Sequence, residues 1–346
     1  MARGPWWGGD LQTLRNYLYL SVKATFGGPA RPPHRERRLH LPMDDGSGDR
    51  LVATLLEPEQ DGDGPLCLLL HGLGGCESSG YIEQASTAVL RAGLPVLRLN
   101  LRGAGLSRPT CRHFYHPGAS HDVRAALRRL PVQLKRNGLV AIGFSLGGHI
   151  LLKYLGEPGV DAAIRAAVSI SAPLDLAGTS NRLLEPRNTL YHAYLLTHIK
   201  RGTTAEGADI TEQERRLILG ARTLRQLDDV YTGPRCGYRD AEHYYRENSC
   251  RAFLAHVGVP TLVVHAKDDP FVPVQPYLDL PWRGLPGLTP LLPDSGGHLG
   301  FHDRGGAWHL RAALDFFARH GAPVRRRVEP PGRPHAPGPL AGALPA

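Results

Sequence analysis

Short, continuously apolar runs alternate with amphipathic segments along most of this 346-residue chain. Two runs, Leu66–Leu70 and Leu139–Phe144, carry no charged side chain, which is typical of buried parallel strands. Further runs with strand character are residues 51–56, 95–99, 166–170, 261–266 and 288–292. Apolar residues recur at helical spacing over residues 81–92, 121–136, 146–155 and 308–320. This order predicts an α/β fold with a mostly parallel central sheet and helices on both faces.

The alternation stops over residues 174–255. This segment lies between two predicted strands and contains helical runs rich in Arg, Tyr and Leu, but no strand-like run. We therefore expect a helical insertion that forms a cap over the functional site. The predicted organisation is an N-terminal extension (1–36), a first core part (37–173), the helical cap insertion (174–255), a second core part (256–321) and a disordered Pro- and Gly-rich tail (322–346).

The segment Gly143-Phe144-Ser145-Leu146-Gly147 fits the pattern G-x-S-x-G. An apolar strand precedes the serine and a helical run follows it, which is the context that the α/β-hydrolase fold requires for its nucleophile. The glycines permit a sharp turn that presents the serine hydroxyl above the edge of the sheet. We therefore predict an α/β-hydrolase fold with Ser145 as the catalytic nucleophile.

Two backbone N–H groups are candidates for stabilising an oxyanion. The N–H of Leu146 follows the serine at a helix N-terminus, where the helix dipole favours negative charge. The loop after the third strand supplies the second donor in this fold, and here that loop reads His71-Gly72-Leu73-Gly74-Gly75. We expect the N–H of Leu73 to be the second donor, and His71 to brace the loop rather than to carry a proton.

A serine hydroxyl needs a base, and the base needs an acid to orient it. His298 follows the last predicted strand, whereas His302 is predicted to lie one helical turn into the next element. Asp268 and Asp269 both follow the strand before it, and the spacing to the next Val-Pro pair favours Asp269 without excluding Asp268. The chain order Ser145, Asp269, His298 is the order that this fold uses.

The composition, with 42% hydrophobic residues, supports a substantial buried core. A net charge of +9 brings nucleic-acid binding into consideration, but the basic residues are spread along the chain and fit no nucleic-acid-binding motif. We therefore expect no nucleic-acid partner. Because the proposed chemistry uses side chains alone, we also expect no metal and no organic cofactor.

The N-terminal region is apolar in part. Charged residues interrupt residues 11–26, so this stretch predicts neither a membrane span nor a signal peptide. We expect a cytoplasmic protein and make no prediction of its oligomeric state. At most peripheral membrane contact is expected from four apolar side chains, for which packing on the domain is the favoured alternative: Trp6, Trp7, Leu11 and Leu14.

Several further stretches occur in order over most of residues 6–320. They are Leu11-Gln12-Thr13, His71-Gly72-Leu73-Gly74-Gly75, Asn100-Leu101-Arg102-Gly103, Leu227-Asp228-Asp229-Val230-Tyr231-Thr232 and Gly296-Gly297-His298-Leu299-Gly300-Phe301, together with residues 105–107, 143–155, 244–245 and 266–271. With these stretches the chain resembles the AB hydrolase 4 family, which includes bacterial YheT-like hydrolases and eukaryotic ABHD1/ABHD2/ABHD3-like lipases.

The resemblance implies a serine esterase or lipase acting on a small-molecule acyl ester or lipid, such as a short-chain ester, an acylglycerol or a phospholipid. It places the catalytic triad on Ser145, Asp269 and His298. Two alternatives stay open: ester synthesis by acyl transfer to an alcohol, and a non-catalytic ligand-binding member of the same fold. His298 and Asp303 also fit H-x-x-x-x-D, a pattern associated with acyltransferases, although this spacing arises readily when a histidine precedes a helix.

Roles outside this triad are open at this stage. Arg102 is expected either to pair with Asp228 or Asp229 and brace the cap, or to contact substrate, and the structural role is favoured. Five tyrosines are expected either to line an acyl pocket or to pack within the cap: Tyr191, Tyr194, Tyr231, Tyr244 and Tyr245.

Overall fold

The computed structural model describes residues 8–15, 31–59 and 63–322. Trp6, Trp7 and residues 323–346 of the predicted tail lie outside the described residues. Within the described ranges, no helix combines the length and the apolar character that crossing a bilayer requires.

Eight strands form the central sheet in the order β1-β2-β4-β3-β5-β6-β7-β8. The strands are β1 (His34–Pro42), β2 (Arg50–Pro58), β3 (Leu66–Leu70), β4 (Val96–Leu99), β5 (Leu139–Phe144), β6 (Ile164–Ile170), β7 (Thr261–Val264) and β8 (Leu288–Leu291). β1 and β2 pair antiparallel, as do β2 and β4, whereas all pairings from β4 to β8 are parallel. The predicted mostly parallel sheet is confirmed.

Helices cover both faces of the sheet. In chain order they are α1 (Gly80–Arg91), α2 (Ser120–Arg129), α3 (Val132–Lys135), α4 (Leu146–Gly156), α5 (Leu176–Leu183), α6 (Thr189–Thr203), α7 (Glu212–Gly220), α8 (Leu224–Leu227), α9 (Gly233–Arg235), α10 (Ala241–Asn248), α11 (Gln275–Leu278) and α12 (Trp308–Arg319). Short 3₁₀ turns (Gly105–Thr110, Pro186–Asn188, Cys250–His256 and Trp282–Gly284) and a π-helical turn (Asp228–Thr232) lie between them.

Successive side chains of β3 point to opposite faces, as the period of a strand requires. Leu66, Leu68 and Leu70 join the apolar cluster beneath α2 and α4, whereas Cys67 and Leu69 join the cluster beneath α1 and α12. β3 and β5 are therefore buried on both sides, which explains why their sequences are continuously apolar.

The described residues between β6 and β7 are helical and contain no strand. They form an apolar cluster of their own that includes Leu196, Ile218 and Leu227. We propose that this segment is the predicted cap insertion of residues 174–255, and we call it the cap below.

Three elements differ from the sequence predictions. β1 was not predicted, because its sequence is dominated by charged, mostly exposed residues; it is an edge strand that pairs with β2 along its whole length. The helix predicted over residues 121–136 is broken between α2 and α3, because Leu130 precedes Pro131 and adopts an extended conformation. The strand predicted over residues 261–266 ends at Val264.

Candidate active site

Ser145 lies in a sharp turn between β5 and α4. Its φ of +51° is in the left-handed region, which a non-glycine residue adopts only where the surroundings impose it. A Cβ at Gly143 would lie 2.5 Å from the carbonyl oxygen of Gly147, and one at Gly147 would lie 2.5 Å from the carbonyl oxygen of Leu70. Gly143 is thus required for β5 and α4 to approach each other this closely, and Gly147 is required for α4 to approach the end of β3.

A continuous set of hydrogen bonds joins Ser145, His298 and Asp269. His298 Nε2 lies 2.9 Å from Ser145 Oγ, and His298 Nδ1 lies 2.8 Å from Asp269 Oδ2. With the ring proton on Nδ1, the serine hydroxyl donates to Nε2 and the ring donates to the carboxylate. This is the geometry that general-base activation of a serine requires.

The carboxylate of Asp269 is buried, with 4% of the residue exposed. Burial acts to raise its pKa, but the adjoining His298 and the backbone N–H of Val272 outweigh burial and hold the pKa below its usual value. Its second oxygen, Oδ1, accepts hydrogen bonds from the N–H groups of Phe271 and Val272 at 2.9 and 3.0 Å. The acid is thereby kept ionised and fixed in orientation.

Asp268 has a different set of partners. Its Oδ1 accepts from the backbone N–H groups of Gly296 and Gly297 at 2.9 and 2.8 Å. The structure thus directs Asp269 to the ring of His298 and Asp268 to the backbone that leads into it. The turn after β7 presents the two side chains in different directions, and of the two only Asp269 hydrogen-bonds to the ring of His298.

The two candidate oxyanion donors flank Ser145. Leu146 is the first residue of α4, and a Cβ at Gly72, next to Leu73, would lie 3.0 Å from the Ser145 Cβ. In the described part of the chain, neither Leu73 N–H nor Leu146 N–H donates to a protein acceptor. Both groups are therefore available to an oxygen atom bound beside the serine.

Side chains that the sequence did not single out hold the loop of residues 71–75. The hydroxyl groups of Tyr81 and Tyr115 accept from the N–H groups of Gly72 and Gly74 at 2.9 and 2.8 Å. His71 is fully buried, which lowers its pKa to about 4; its Nδ1 donates to the Gly72 carbonyl and its Nε2 accepts from Leu101 N–H. His71 therefore stays neutral and braces the loop, in the role expected of it.

A second buried histidine backs the acid. His265 Nδ1 lies 3.9 Å from Asp269 Oδ2, and its ring stacks on Tyr277 with a centroid separation of 4.0 Å. Burial lowers the pKa of His265 to about 4, so it presents a neutral ring to Asp269. No sequence pattern marked this residue.

The prediction for His302 was wrong in its structural detail. His302 and Asp303 form a short strand, β9, that pairs with β10 (Gly306–Ala307) before α12 begins. The glycines in this segment favour a hairpin over a helix. Asp303 accepts from Gly305 N–H and pairs with Arg311, so the aspartate of the H-x-x-x-x-D pattern is engaged away from Ser145.

The suggested ion pair between Arg102 and the cap is also wrong. Arg102 is buried and pairs with three aspartates, Asp45, Asp49 and Asp122. The sequence could not reveal these partners, because they come from the β1–β2 turn and from α2. Asp228 instead accepts from the Tyr245 hydroxyl at 2.7 Å, and Asp229 accepts from Ala241 N–H.

One group of residues has the spacing of a metal site: Asp45, His121 and Asp122 offer ligand atoms within 4.8 Å of one another. Arg102 already donates to both carboxylates. The guanidinium supplies the positive charge that a cation would bring, so the residues fit a structural ion-pair cluster better than a metal centre.

One large cavity opens above Ser145 and His298. Four of the five tyrosines line it, namely Tyr191, Tyr194, Tyr231 and Tyr245, whereas Tyr244 is fully buried in packing. The Tyr191 ring contacts Phe271 at a centroid distance of 4.4 Å, and the Phe271 ring contacts His298 at 4.6 Å. The cap thus reaches the proposed base through a short aromatic stack.

Comparison with known proteins identifies the family of this chain. The sequence profile of the alpha/beta hydrolase fold matches residues 65–305, and the chain belongs to this family. Putative esterase YheT of Escherichia coli (strain K12) is 31% identical over 269 residues, which cover 77% of this chain and 78% of that protein. The resemblance to YheT-like hydrolases seen in the motifs is confirmed.

Two yeast proteins extend the comparison. Monoacylglycerol lipase of Saccharomyces cerevisiae is 29% identical, covering 73% of this chain and 58% of that protein. Medium-chain fatty acid ethyl ester synthase/esterase 2 of the same organism is 28% identical, covering 76% of this chain and 64% of that protein. The chain therefore spans less than two thirds of either yeast protein.

Proposed function

We propose that this protein hydrolyses carboxylic esters through an acyl-enzyme formed on Ser145. The hydrogen-bonded series Ser145–His298–Asp269 carries the proposal. It combines a nucleophile that lines the cavity, a base within hydrogen-bond distance of it and an ionised acid that accepts from the base. The N–H groups of Leu73 and Leu146, which donate to no acceptor among the described residues, supply the remaining requirement, a place for the oxyanion.

The reaction follows from these positions. Ser145 Oγ attacks the ester carbonyl while its proton passes to His298 Nε2, and the N–H groups of Leu73 and Leu146 stabilise the oxyanion. The imidazolium, stabilised by Asp269, then protonates the departing alcohol, and the acyl group stays on Ser145. His298 next takes a proton from water, the hydroxide attacks the acyl carbonyl, and Ser145 recovers its proton as the carboxylic acid leaves.

The substrate class that we propose is a neutral acyl ester with an apolar acyl chain, either a short-chain ester or an acylglycerol. The cap supplies an apolar and aromatic lining to the cavity above Ser145, including Leu183, Tyr191, Leu195 and Ile199. Such a lining favours an alkyl chain. Relatives named as an esterase and a monoacylglycerol lipase are consistent with this class.

The test is hydrolysis of a graded series of p-nitrophenyl esters by wild type, Ser145→Ala and Ser78→Ala. Loss of a serine nucleophile lowers kcat by about 10⁴- to 10⁶-fold, and we expect that loss in Ser145→Ala. Ser78 is exposed and bonds only to Cys76 Sγ among the described residues, so its alanine variant should retain wild-type rates. Wild-type rates in Ser145→Ala would refute the mechanism.

Labelling with a fluorophosphonate supplies an independent readout, because the probe reacts only with an activated serine. We expect labelling of wild type and none of Ser145→Ala. A folded wild-type protein that neither reacts with the probe nor hydrolyses any ester would instead favour a ligand-binding role for the same cavity.

A second candidate is ester synthesis, which the similarity to the yeast ethyl ester synthase/esterase favours. It shares the acyl-enzyme and differs only in that an alcohol replaces water as the acceptor. Adding ethanol to the hydrolysis assay and measuring ethyl ester against free acid separates the two. A product ratio that rises above the ratio set by the alcohol concentration would identify a synthase.

A further inference from the structure

The loop that carries His298 is strained. Gly297 has a φ of +56°, and two non-glycine residues of the same loop, Leu299 and Phe301, have φ values of +63° and +31°. Residues hold such conformations only when surrounding contacts over-determine them. The position of the His298 ring therefore depends on what holds this loop from outside.

Three consecutive backbone N–H groups of the loop donate to side chains elsewhere in the chain. Those of Gly296 and Gly297 donate to Asp268, and that of His298 donates to Thr13 Oγ1 at 2.8 Å. Thr13 Oγ1 in turn donates to the Gly9 carbonyl at 2.7 Å. Because its proton points to Gly9, a lone pair of the Thr13 hydroxyl is left facing the His298 N–H.

Residues 8–15, which we call the N-terminal strap, also pack directly against this loop. A Cβ at Gly9 would lie 1.8 Å from the Asp268 carbonyl oxygen, and one at Gly297 would lie 2.3 Å from the Gly9 carbonyl oxygen. At Gly300, an added Cβ would lie 2.9 Å from Gln12. The backbone of the strap approaches the backbone of the loop closely at these glycines, so the strap and the loop pack as one unit.

We propose that Thr13 is a positioning residue for His298, and that the strap is a structural part of the active site. This inference rests on the proposed function of His298 as the general base. The Thr13 hydroxyl fixes the backbone of His298 from one side while Asp269 fixes its ring from the other. The Leu11-Gln12-Thr13 stretch, although distant from His298 in sequence, thus helps to hold the backbone of His298 in place.

The test compares Thr13→Val with Thr13→Ser. Valine keeps the shape but removes the acceptor, so the His298 N–H is left unpaired and the ring is free to shift from Ser145. We expect kcat for a p-nitrophenyl ester to fall about tenfold while KM changes by less than about twofold, since small misplacements of a catalytic group act on the chemical step. Serine keeps the hydroxyl and should restore kcat to within about twofold of wild type.

Thr204→Val is the matched control. Thr204 Oγ1 donates to the carbonyl of Lys200, four residues earlier, as Thr13 does to Gly9, but it lies in the cap. Gly9→Ala provides a second route to the same outcome: its methyl group would displace the strap from Asp268 without removing the hydroxyl. We expect Gly9→Ala to lower kcat and the rate of fluorophosphonate labelling, and Thr204→Val to leave both unchanged.

The outcomes separate the two proposals. A wild-type kcat in folded Thr13→Val overturns the positioning role. The role is also overturned if Thr13→Ser and Thr13→Val lose kcat equally and their melting temperatures fall equally. If Thr13→Val does not fold, wild-type kcat and labelling in Gly9→Ala overturn it instead. Ser145→Ala is measured alongside: if it stays active, the proposed function fails and the role of Thr13 with it, whereas an inactive Ser145→Ala with fully active strap variants refutes Thr13 alone.

Discussion

Two carboxylates, Asp269 of the core and Asp228 of the cap, are held in different ways, and only Asp228 lines the cavity. Asp269 of the core accepts from two backbone N–H groups and adjoins His298, and its pKa lies below the usual value although burial acts to raise it. Asp228 of the cap accepts from the Tyr245 hydroxyl, and burial raises its pKa to about 6.

The difference shows what keeps a buried acid ionised. Backbone N–H groups are fixed donors that cannot turn away, and a neighbouring imidazole adds positive charge as it takes up a proton. At Asp228 the hydroxyl groups of Tyr245 and Thr232 are neutral donors, and they offset the effect of burial on the pKa only in part. The core therefore keeps Asp269 ionised beside the proposed base, whereas burial raises the pKa of Asp228 in the cap to about 6.

The largest effect that tests this difference is expected from Asp269→Asn. The amide keeps the shape but cannot hold the Nδ1–H tautomer of His298, so kcat should fall by about 10⁴-fold with the fold intact. Esterase kinetics on the purified variant measure the loss. Asp294→Asn, an exposed acid paired with Lys267, serves as the control and should match wild type. A loss below about tenfold would remove Asp269 from the triad.

A smaller loss is expected from Asp268→Ala, which leaves the N–H groups of Gly296 and Gly297 without their acceptor. We expect kcat to fall by about 10- to 100-fold, because the loop shifts while the acid, base and nucleophile remain. Asp268→Asn keeps Oδ1 as an acceptor and should lose less. If Asp268→Ala proved as inactive as Asp269→Asn, the two acids would not have the separate roles assigned to them.

On the cap side, Asp228→Asn should change stability rather than chemistry. The pKa of Asp228 is about 6 in the folded state and near 3.8 in the unfolded state. As the pH rises, Asp228 therefore loses its proton first in the unfolded state. The free energy of unfolding falls from about pH 4 to about pH 6 and is constant above it. Removing the charge should raise the free energy of unfolding at pH 8 by about 1–3 kcal/mol, and by less at pH 5.

Urea unfolding at the two pH values measures this gain. Asp229→Asn, a change at an exposed acid in the same π-helical turn, is the control and should show no pH-dependent gain. A gain in Asp228→Asn that is the same at both pH values would show that Asp228 does not titrate between them. Asp228 would then be ionised at both pH values, as is expected of Asp269.

Much of the core site is predictable because its determinants are local in sequence. The strand before Ser145, its two glycines and the glycine-rich loop after β3 each fit a pattern of a few residues, and the order of the proposed triad follows from the fold. The choice between Asp268 and Asp269 is harder to predict from the sequence. The two side chains are adjacent in one turn, and only the three-dimensional path of the chain decides which faces the ring.

The contacts that hold the site together from a distance could not be predicted. Thr13 and His298 are separated by 285 positions, and their contact joins a side chain to a backbone N–H, which leaves no mark in residue type. The ion pair of Arg102 with Asp49 could not be predicted for the same reason, because Asp49 lies 53 positions earlier in the sequence. The positively charged edge strand β1 was missed because exposure on one side of a strand removes the apolar pattern that identifies it.

The smallest effect is expected at Arg187, a cap residue that pairs with Asp10 of the strap at 2.7 Å. Both side chains are about half exposed, at 48%, so solvent screens the pair and its contribution should be below about 0.5 kcal/mol. Arg187→Gln should therefore leave kcat within about twofold of wild type, with a slightly weaker dependence of stability on salt. A fall in kcat as large as that expected for Thr13→Val would mean that the cap, rather than the core, holds the strap against His298. The cap would then contribute to positioning the proposed base as well as to lining the cavity, so the core and the cap would not have separate roles.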